Sequence, residues 1–212
     1  CDSLSNNKIR KLSLEGTCIE DTSMIKLLEN HGSYLEFINL SHTSSLTDET
    51  LVGVRKYCSN LQHLNISKMN VTKVGVLGLF LEDKSSNDSR SNSSSSMLKS
   101  LCFDWLECVD DDIIVEVAKS TAGNLRDLFI GNCKEIRGKA IMALKMHSAS
   151  TLQYLDLSFA RQIHENALGV LVEECNQLRK LTLWGWTDLS KQFLIYVRTL
   201  CEVEGAYQPK II

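Results

Sequence analysis

Apolar residues follow one another along this chain in two alternating spacings. In the stretch 35–61 they first show the LxxLxL spacing of a short strand, and then recur every three to four residues, as on one face of a helix. The strand set is Leu35, Ile38 and Leu40, and the helix set is Leu51, Val54 and Cys58. One strand and one helix cannot bury both apolar faces alone, so this stretch requires neighbouring copies of itself.

Copies of the strand pattern lie on both sides of this stretch. They begin at Ile9, Leu35, Leu61, Leu98, Leu125, Leu152 and Leu178, at intervals of 26, 26, 37, 27, 27 and 26 residues. Apart from one interval, this is the period of leucine-rich repeats. The pattern therefore predicts an α/β solenoid of about seven repeats of 26–27 residues, a ribonuclease-inhibitor-like horseshoe. Its parallel strands should line the concave side and its helices the convex side.

The long interval contains a serine-rich segment, Lys84–Ser96. Such a segment has almost nothing to bury, so we expect a disordered insertion, either a tolerated surface loop or a phosphorylatable flap. Because each repeat packs only on its neighbours, the whole chain 1–212 is expected to form a single domain. Its first residues match the end of a preceding repeat, which suggests the C-terminal part of a longer protein.

The remaining composition excludes several classes of function. The net charge of −3 gives no footprint for nucleic acid, and no run of about 18 apolar residues suits a membrane span. Eight cysteines could indicate zinc or disulfides, but no CxxC pair occurs that would suit zinc, and a chain of this length has an ample core without disulfides. Cys58, Cys175 and Cys201 instead fall 23 residues after their repeat starts, so they should stack as apolar packers at helix ends. Free buried thiols favour a reducing compartment, cytoplasmic or nuclear.

Polar residues near the predicted helix starts have a structural explanation. Thr47 or Asp48 should cap the second helix, and the aspartates 110–112 should cap the fourth rather than bind metal. The third helix contains Gly75 and Gly78, which weaken it. No nucleophile, phosphate-binding loop or metal-ligand spacing is present, so we expect no enzyme activity, no metal and no cofactor.

The candidate binding surface follows from strand geometry, because residues that alternate with the inward leucines point outward. Exposed aromatic residues interleaved with acidic ones are typical anchors for a protein with a basic segment. The predicted partner-binding residues are Phe37, Asn39, His63, Asp104, Asp127, Phe129, Tyr154, Asp156, Lys180 and Trp184. Trp105 and Trp186, at the strand exits, are expected to extend this surface.

The repeat motif resembles LxxLxLxxCxxITDxxLxxLxxxCxxL, which marks the cysteine-containing class of leucine-rich repeats. In the second repeat the matching residues are Leu35, Ile38, Leu40, Leu46, Thr47, Asp48, Leu51, Cys58 and Leu61. The ninth motif position is cysteine only at Cys133, and the first and third repeats have turns one residue short. The class is best known from F-box/leucine-rich-repeat substrate-recognition subunits, and it includes excision-repair and mitotic-exit proteins.

This resemblance implies a protein-interaction module that recognises a substrate or partner in a ubiquitin-ligase-like, cullin-linked complex. Its adaptor or cullin would bind through a region outside this chain. The alternatives are a scaffold subunit in nucleotide-excision DNA repair and an inhibitor-type regulator of an enzyme. A small-molecule receptor would need several long loops, and only one insertion is present. No direct nucleic-acid contact and no membrane contact are expected.

Overall fold

The structure is a computed structural model, which describes residues 8–81 and 97–206. Short strands alternate with helices throughout both ranges. The strands are β1 (Lys11–Ser13), β2 (Phe37–Asn39), β3 (His63–Asn65), β4 (Ser100–Cys102), β5 (Asp127–Phe129), β6 (Tyr154–Asp156), β7 (Lys180–Thr182) and β8 (Glu202–Glu204). The helices are α1 (Asp21–His31), α2 (Asp48–Tyr57), α3 (Lys73–Gly78), α4 (Asp111–Ser120), α5 (Gly138–Ser148), α6 (Glu165–Glu174) and α7 (Lys191–Leu200), with a 3₁₀ turn at Gly32–Tyr34.

All eight strands form one parallel sheet in the order of the chain. Each strand pairs with the next without any shift in repeat position; Leu12 pairs with Ile38, for example, and Leu128 with Leu155. The predicted α/β leucine-rich-repeat solenoid is therefore confirmed. The Ser-rich segment Lys84–Ser96 lies outside the described residues, and its predicted disorder stays a prediction, as does the single-domain assignment.

The core lies between the sheet and the helices. The central residue of each strand from β2 to β7 points into it and is at most 2% exposed, as at Leu64 and Leu101. The three cysteines that were predicted to recur at one repeat position lie at the C-terminal ends of their helices, as expected. The backbone N–H of Cys58, Cys175 and Cys201 donates to the carbonyl four residues earlier, and the first two side chains are buried. Cysteines at these positions therefore serve packing.

Carboxylates form hydrogen bonds between the N-termini of adjacent helices. Thr47 caps α2 as predicted, and the Asp21 carboxylate of the previous repeat accepts from the Thr47 N–H at 3.0 Å and its hydroxyl at 2.8 Å. Asp48 in turn accepts from the N–H of Thr72 at 2.8 Å. Glu165 holds Ser190 in the same way, its Oε2 accepting from the backbone N–H at 2.6 Å. The first helical residue of one repeat thus supports the helix start of the next.

The three aspartates at the start of α4 confirm the capping interpretation. Asp110 accepts from two N–H groups of its own helix, and Asp111 accepts from the N–H of Arg137 in the next repeat at 2.7 Å. Asp112 pairs with Lys73 and Lys139 at 3.0 and 2.6 Å. Over the residues that the structure describes, no group of three acidic, histidine or cysteine side chains could hold a metal ion.

The fold departs from the sequence expectation at its C-terminal end. The repeat pattern predicted seven strands, but residues Glu202–Glu204 form an eighth strand on β7. The step from β7 to β8 is 22 residues instead of 26 or 27, because α7 runs directly into β8. Within the described ranges, no helix is long and apolar enough to cross a lipid bilayer.

Candidate protein-binding face

The sheet face that points away from the helices, here called the open face, is built from three columns of side chains. The first and third residues of every strand point onto it, while the central residue is buried. The pairing register aligns these residues across repeats, so each column continues along the sheet. The third column is formed by the residue two positions after each strand, such as Asp104 and Trp184.

All ten predicted partner-binding residues lie in these columns. The first column contains Phe37, His63, Asp127, Tyr154 and Lys180; the second contains Asn39, Phe129 and Asp156; the third contains Asp104 and Trp184. Eight are half-buried, while Tyr154 and Trp184 are exposed. The predicted surface is thus continuous in space, and the binding role of these residues stays a prediction.

The aromatic residues of the open face fall into two groups. Phe37 and His63 lie on neighbouring strands with their ring centroids 6.1 Å apart. Phe129, Tyr154 and Trp184 lie together at the C-terminal end of the sheet, where they line a cavity of about 380 Å³. Between the two groups, β4 contributes only small side chains to the first two columns. The open face therefore offers two separate aromatic anchoring points.

Trp184 is fixed in position by the strand that the sequence did not reveal. Its indole lies on Gly205, where a Cβ atom would be only 2.5 Å from Cδ2 of the ring. Gly205 has φ +77°, a conformation that glycine adopts without strain. Glu204 of β8 also lines the cavity, opposite Tyr154 and Asp156. Val203 between two glutamates, followed by glycine, was the available signal for this strand.

Acidic residues in the middle of the open face are partly used by the fold itself. Asp104 accepts from the N–H of Gly131 at 2.7 Å, and burial raises the pKa of its carboxyl above the ordinary value. Burial likewise raises the pKa of Asp127 and lowers that of His63. Asp156 accepts from the N–H of Ser158 at 2.7 Å. Burial thus disfavours the charged forms of Asp104, Asp127 and His63.

Along one edge of the open face lies a column of residues in the left-handed (positive-φ) backbone conformation, which sequence reasoning missed. The positive-φ residues at this position are Gly16, His42, Lys68, Trp105, Asn132, Phe159 and Gly185. From Gly16 to Phe159 their N–H groups donate to the third-column carbonyl of the next repeat, as Trp105 does to Gly131 at 2.9 Å. This backbone ladder compensates for the strain of positive φ at non-glycine residues. Trp105 is 55% exposed, as predicted, with the Lys68 ammonium 4.9 Å from its ring centroid.

The expectation for Trp186 was wrong. Its side chain is only 6% exposed, and its indole N–H donates to the carbonyl of Leu157 at 2.7 Å. Trp186 occupies the ninth repeat position, which is buried in every repeat from the second to the seventh, including Cys133 and Ala160. A polar tip with a buried partner allows tryptophan to replace a small residue there. Alignment with Cys133 was the signal that could have placed it inside.

The cysteines of the described part are free thiols. Burial raises the pKa of Cys58, Cys102 and Cys133 to about 12, so each is protonated at neutral pH. Cys133 donates weakly to the carbonyl of Phe103 at 3.3 Å. Such thiols are poor nucleophiles and poor metal ligands.

The fold and its open face define a class of protein: a leucine-rich-repeat solenoid that presents an aromatic and acidic sheet face to solvent. No family model matches the chain. It is 26% identical over 176 residues to the DNA repair protein rhp7 of Schizosaccharomyces pombe, covering 82% of this chain and 30% of that protein. Among solved structures it resembles Rad7, in the crystal structure of the yeast Rad7 and Elc1 complex. There the TM-score is 0.73 and the identity 21%, over 89% of this chain and 44% of that chain.

These similarities confirm the resemblance to leucine-rich-repeat proteins of the DNA-repair type. The solved structure supports the fold, and the sequence similarity to rhp7 extends along most of the solenoid. The chain spans less than half the length of both relatives.

Proposed function

We propose that this chain recognises a protein partner or substrate with the open face of its sheet, as part of a ubiquitin-ligase-like, cullin-linked complex in DNA repair. The observation that carries this proposal is the similarity to a DNA repair protein over 82% of the chain. Rad7, its structural neighbour, was solved in a complex with another protein, Elc1. The ligase assignment rests on the resemblance of the repeats to the F-box/leucine-rich-repeat class.

The open face supports binding rather than catalysis. Its exposed aromatic members are Tyr154 and Trp184, and large amphipathic residues of this kind serve as anchors in protein interfaces. The described residues contain no metal-ligand cluster, and the buried thiols are held protonated. We propose a nuclear location, since the partners of a DNA repair protein act on chromatin-bound DNA.

Affinity purification with mass spectrometry tests this function, using the natural protein that carries this chain. We expect a cullin, its adaptor and excision-repair factors to co-purify with the unaltered protein. Tyr154→Ala combined with Trp184→Ala should remove the substrate or repair factors and leave the adaptor, with the circular dichroism melt nearly unchanged. The matched control is Met146→Ala with Ile195→Ala, which removes two exposed apolar side chains from the helical side.

The results separate the parts of the proposal. Loss of factors from the open-face variant, but not from the helical-face variant, would support recognition by the open face. Retention of every factor by the open-face variant would refute that assignment. Absence of any cullin or adaptor, in a preparation that retains repair factors, would favour the scaffold alternative over the ligase.

A further inference from the structure

The cavity at the C-terminal end of the open face is lined by both aromatic and acidic side chains. Three aromatic residues, Phe129, Tyr154 and Trp184, line it, and the two carboxylates of Asp156 and Glu204 line it from β6 and β8, the strands on either side of β7. Its volume of about 380 Å³ suits one long side chain. The exposed fractions of Tyr154 and Trp184, 36% and 52%, leave their rings accessible to a partner.

One cation of the protein itself already occupies part of this cavity. The Lys180 ammonium lies 2.5 Å from Oε2 of Glu204, and both residues line the cavity wall. This pairing raises the pKa of Lys180. Asp156 is different: its Oδ1 accepts from the N–H of Ser158, and the described part of the chain contains no cation within ion-pair distance of it. With two carboxylates and one ammonium, the cavity keeps a net negative charge.

We propose that this cavity binds an arginine side chain of the protein partner. The guanidinium would stack on the rings of Trp184 and Tyr154 and donate hydrogen bonds to Asp156. This assignment rests on the proposed function, because it names the chemistry of the segment that the open face recognises.

Arginine fits these walls better than other side chains. A planar guanidinium stacks on aromatic faces and can also pair with a carboxylate, so one arginine side chain can interact with both the rings and the carboxylates of the cavity. An apolar side chain would bury the Asp156 carboxylate without a partner, which is unfavourable. An acidic side chain or a phosphate would be repelled by Asp156 and Glu204. Lysine carries a more strongly hydrated charge and has no planar group to stack.

Lys180 then acts as an internal competitor for the same negative charge. While Lys180 pairs with Glu204, only the Asp156 carboxylate is available to an incoming guanidinium. The Lys180 ammonium nearby repels the guanidinium. Removing the Lys180 ammonium should therefore strengthen arginine binding. A surface that bound its partner through Lys180 itself would show the opposite change, so the sign of this effect tests the proposal.

The first experiment is an NMR titration of the 212-residue chain with N-acetyl-arginine-N-methylamide. Binding of one capped residue is expected with a dissociation constant on the order of 1 mM, given its size. The chain has three tryptophans, and the indole N–H signal of Trp184 should move while that of buried Trp186 stays unchanged. The matched ligand is N-acetyl-citrulline-N-methylamide, which has nearly the same shape without the charge and should cause no shift.

Two variants with one control complete the test. Lys180→Met should tighten binding by roughly two- to fivefold, the range expected when a partly exposed ion pair is removed. Asp156→Asn should weaken binding by a similar factor or more. Lys11→Met is the control, because Lys11 occupies the same strand position in the first repeat and lies outside the cavity.

Each outcome decides for or against the arginine assignment. No movement of the Trp184 signal, an equal response to citrulline, or weaker binding by Lys180→Met would overturn it. A stronger response to N-acetyl-lysine-N-methylamide would overturn it in favour of lysine. Failure here, with loss of partners from the open-face double variant, would leave the proposed function standing. Retention of those partners would refute open-face recognition independently of the arginine result.

Discussion

Two glycines in α3 should respond to the same substitution in opposite directions. Helix propensity alone predicts that Gly75→Ala and Gly78→Ala each stabilise the protein by about 0.5–1 kcal/mol. A Cβ atom on Gly78 meets no other atom within 4 Å. A Cβ atom on Gly75 would lie 2.1 Å from Oδ1 and 2.8 Å from Cβ of Asp48 in the preceding repeat. We therefore expect Gly78→Ala to stabilise the protein and Gly75→Ala to destabilise it.

The loss of stability expected in Gly75→Ala follows from the hydrogen bonds that the Asp48 carboxylate accepts. Its carboxylate accepts from the N–H of Thr72 at 2.8 Å and from the Thr72 hydroxyl at 2.5 Å. Displacing the carboxylate forfeits both hydrogen bonds, each worth about 1 kcal/mol at a partly exposed site. After the gain in helix propensity, the net loss is about 1–1.5 kcal/mol. The two alanine variants should therefore differ by about 2 kcal/mol in free energy of unfolding.

Thermal unfolding followed by circular dichroism measures this difference. For a chain of this size, about 2 kcal/mol corresponds to roughly 4–8 °C between the two melting midpoints. The stronger test repeats both substitutions with Asp48→Ala in place. There Gly75→Ala should cost less than it does in the parent protein, because the carboxylate and its hydrogen bonds are already absent and only the Cβ atom of residue 48, at 2.8 Å, still crowds the new methyl group. The reasoning is refuted if both substitutions shift the midpoint equally in the parent protein.

Two further predictions concern Trp186 and the ion pairs at the start of α4. Trp186→Phe should cost about 1 kcal/mol in urea unfolding, because it removes the indole hydrogen bond from the Leu157 carbonyl, which then accepts only from the backbone N–H of Ala160 at 3.1 Å. Trp105→Phe, at an exposed site, is the control and should change stability far less; equal losses would contradict the buried hydrogen bond. Hydrogen bonds from Lys139 and Lys73 lower the pKa of Asp112 to about 2, below its ordinary 3.8, so its stabilising contribution should be complete above about pH 4 and lost as pH falls toward 2. Lys139→Met should raise that pKa in a carboxyl-carbon NMR titration, and an unchanged value would exclude the pair.

The repeat pattern predicted most of the fold, because every repeat combines the strand spacing of apolar residues with the helix spacing that follows it. All seven predicted strands begin two residues after their repeat starts, as β2 does after Leu35. The short turns of the first and third repeats were also predicted correctly. Their connections between strand and helix, residues 14–20 and 66–72, are one residue shorter than the others. Inward leucines fix the register, so the outward residues follow without further information.

The features that were missed depend on contacts between repeats. β8 breaks the period, and its one apolar residue, Val203, gave too weak a pattern. The left-handed column contains large residues such as Lys68 and Phe159, and only the backbone ladder explains their conformation. The cavity could not be predicted either, because Trp184 lies on Gly205, which directly follows a strand that the repeat pattern did not include.

The fold of this solenoid and its proposed recognition surface rest largely on different residues, although Asp104 and Asp156 of the open face also accept backbone hydrogen bonds. The buried central residues and the backbone ladder stabilise each repeat, and neither depends on which side chains occupy the open face. Substitutions such as arginine for Lys180 or serine for Tyr154 would leave the inward register unchanged while altering the cavity. An identity of 21% with a TM-score of 0.73 is consistent with this separation. Under the proposed function, the choice of partner depends on the open-face residues of this chain, and the carboxylates of Asp156 and Glu204 in the cavity beside Trp184 favour a basic partner.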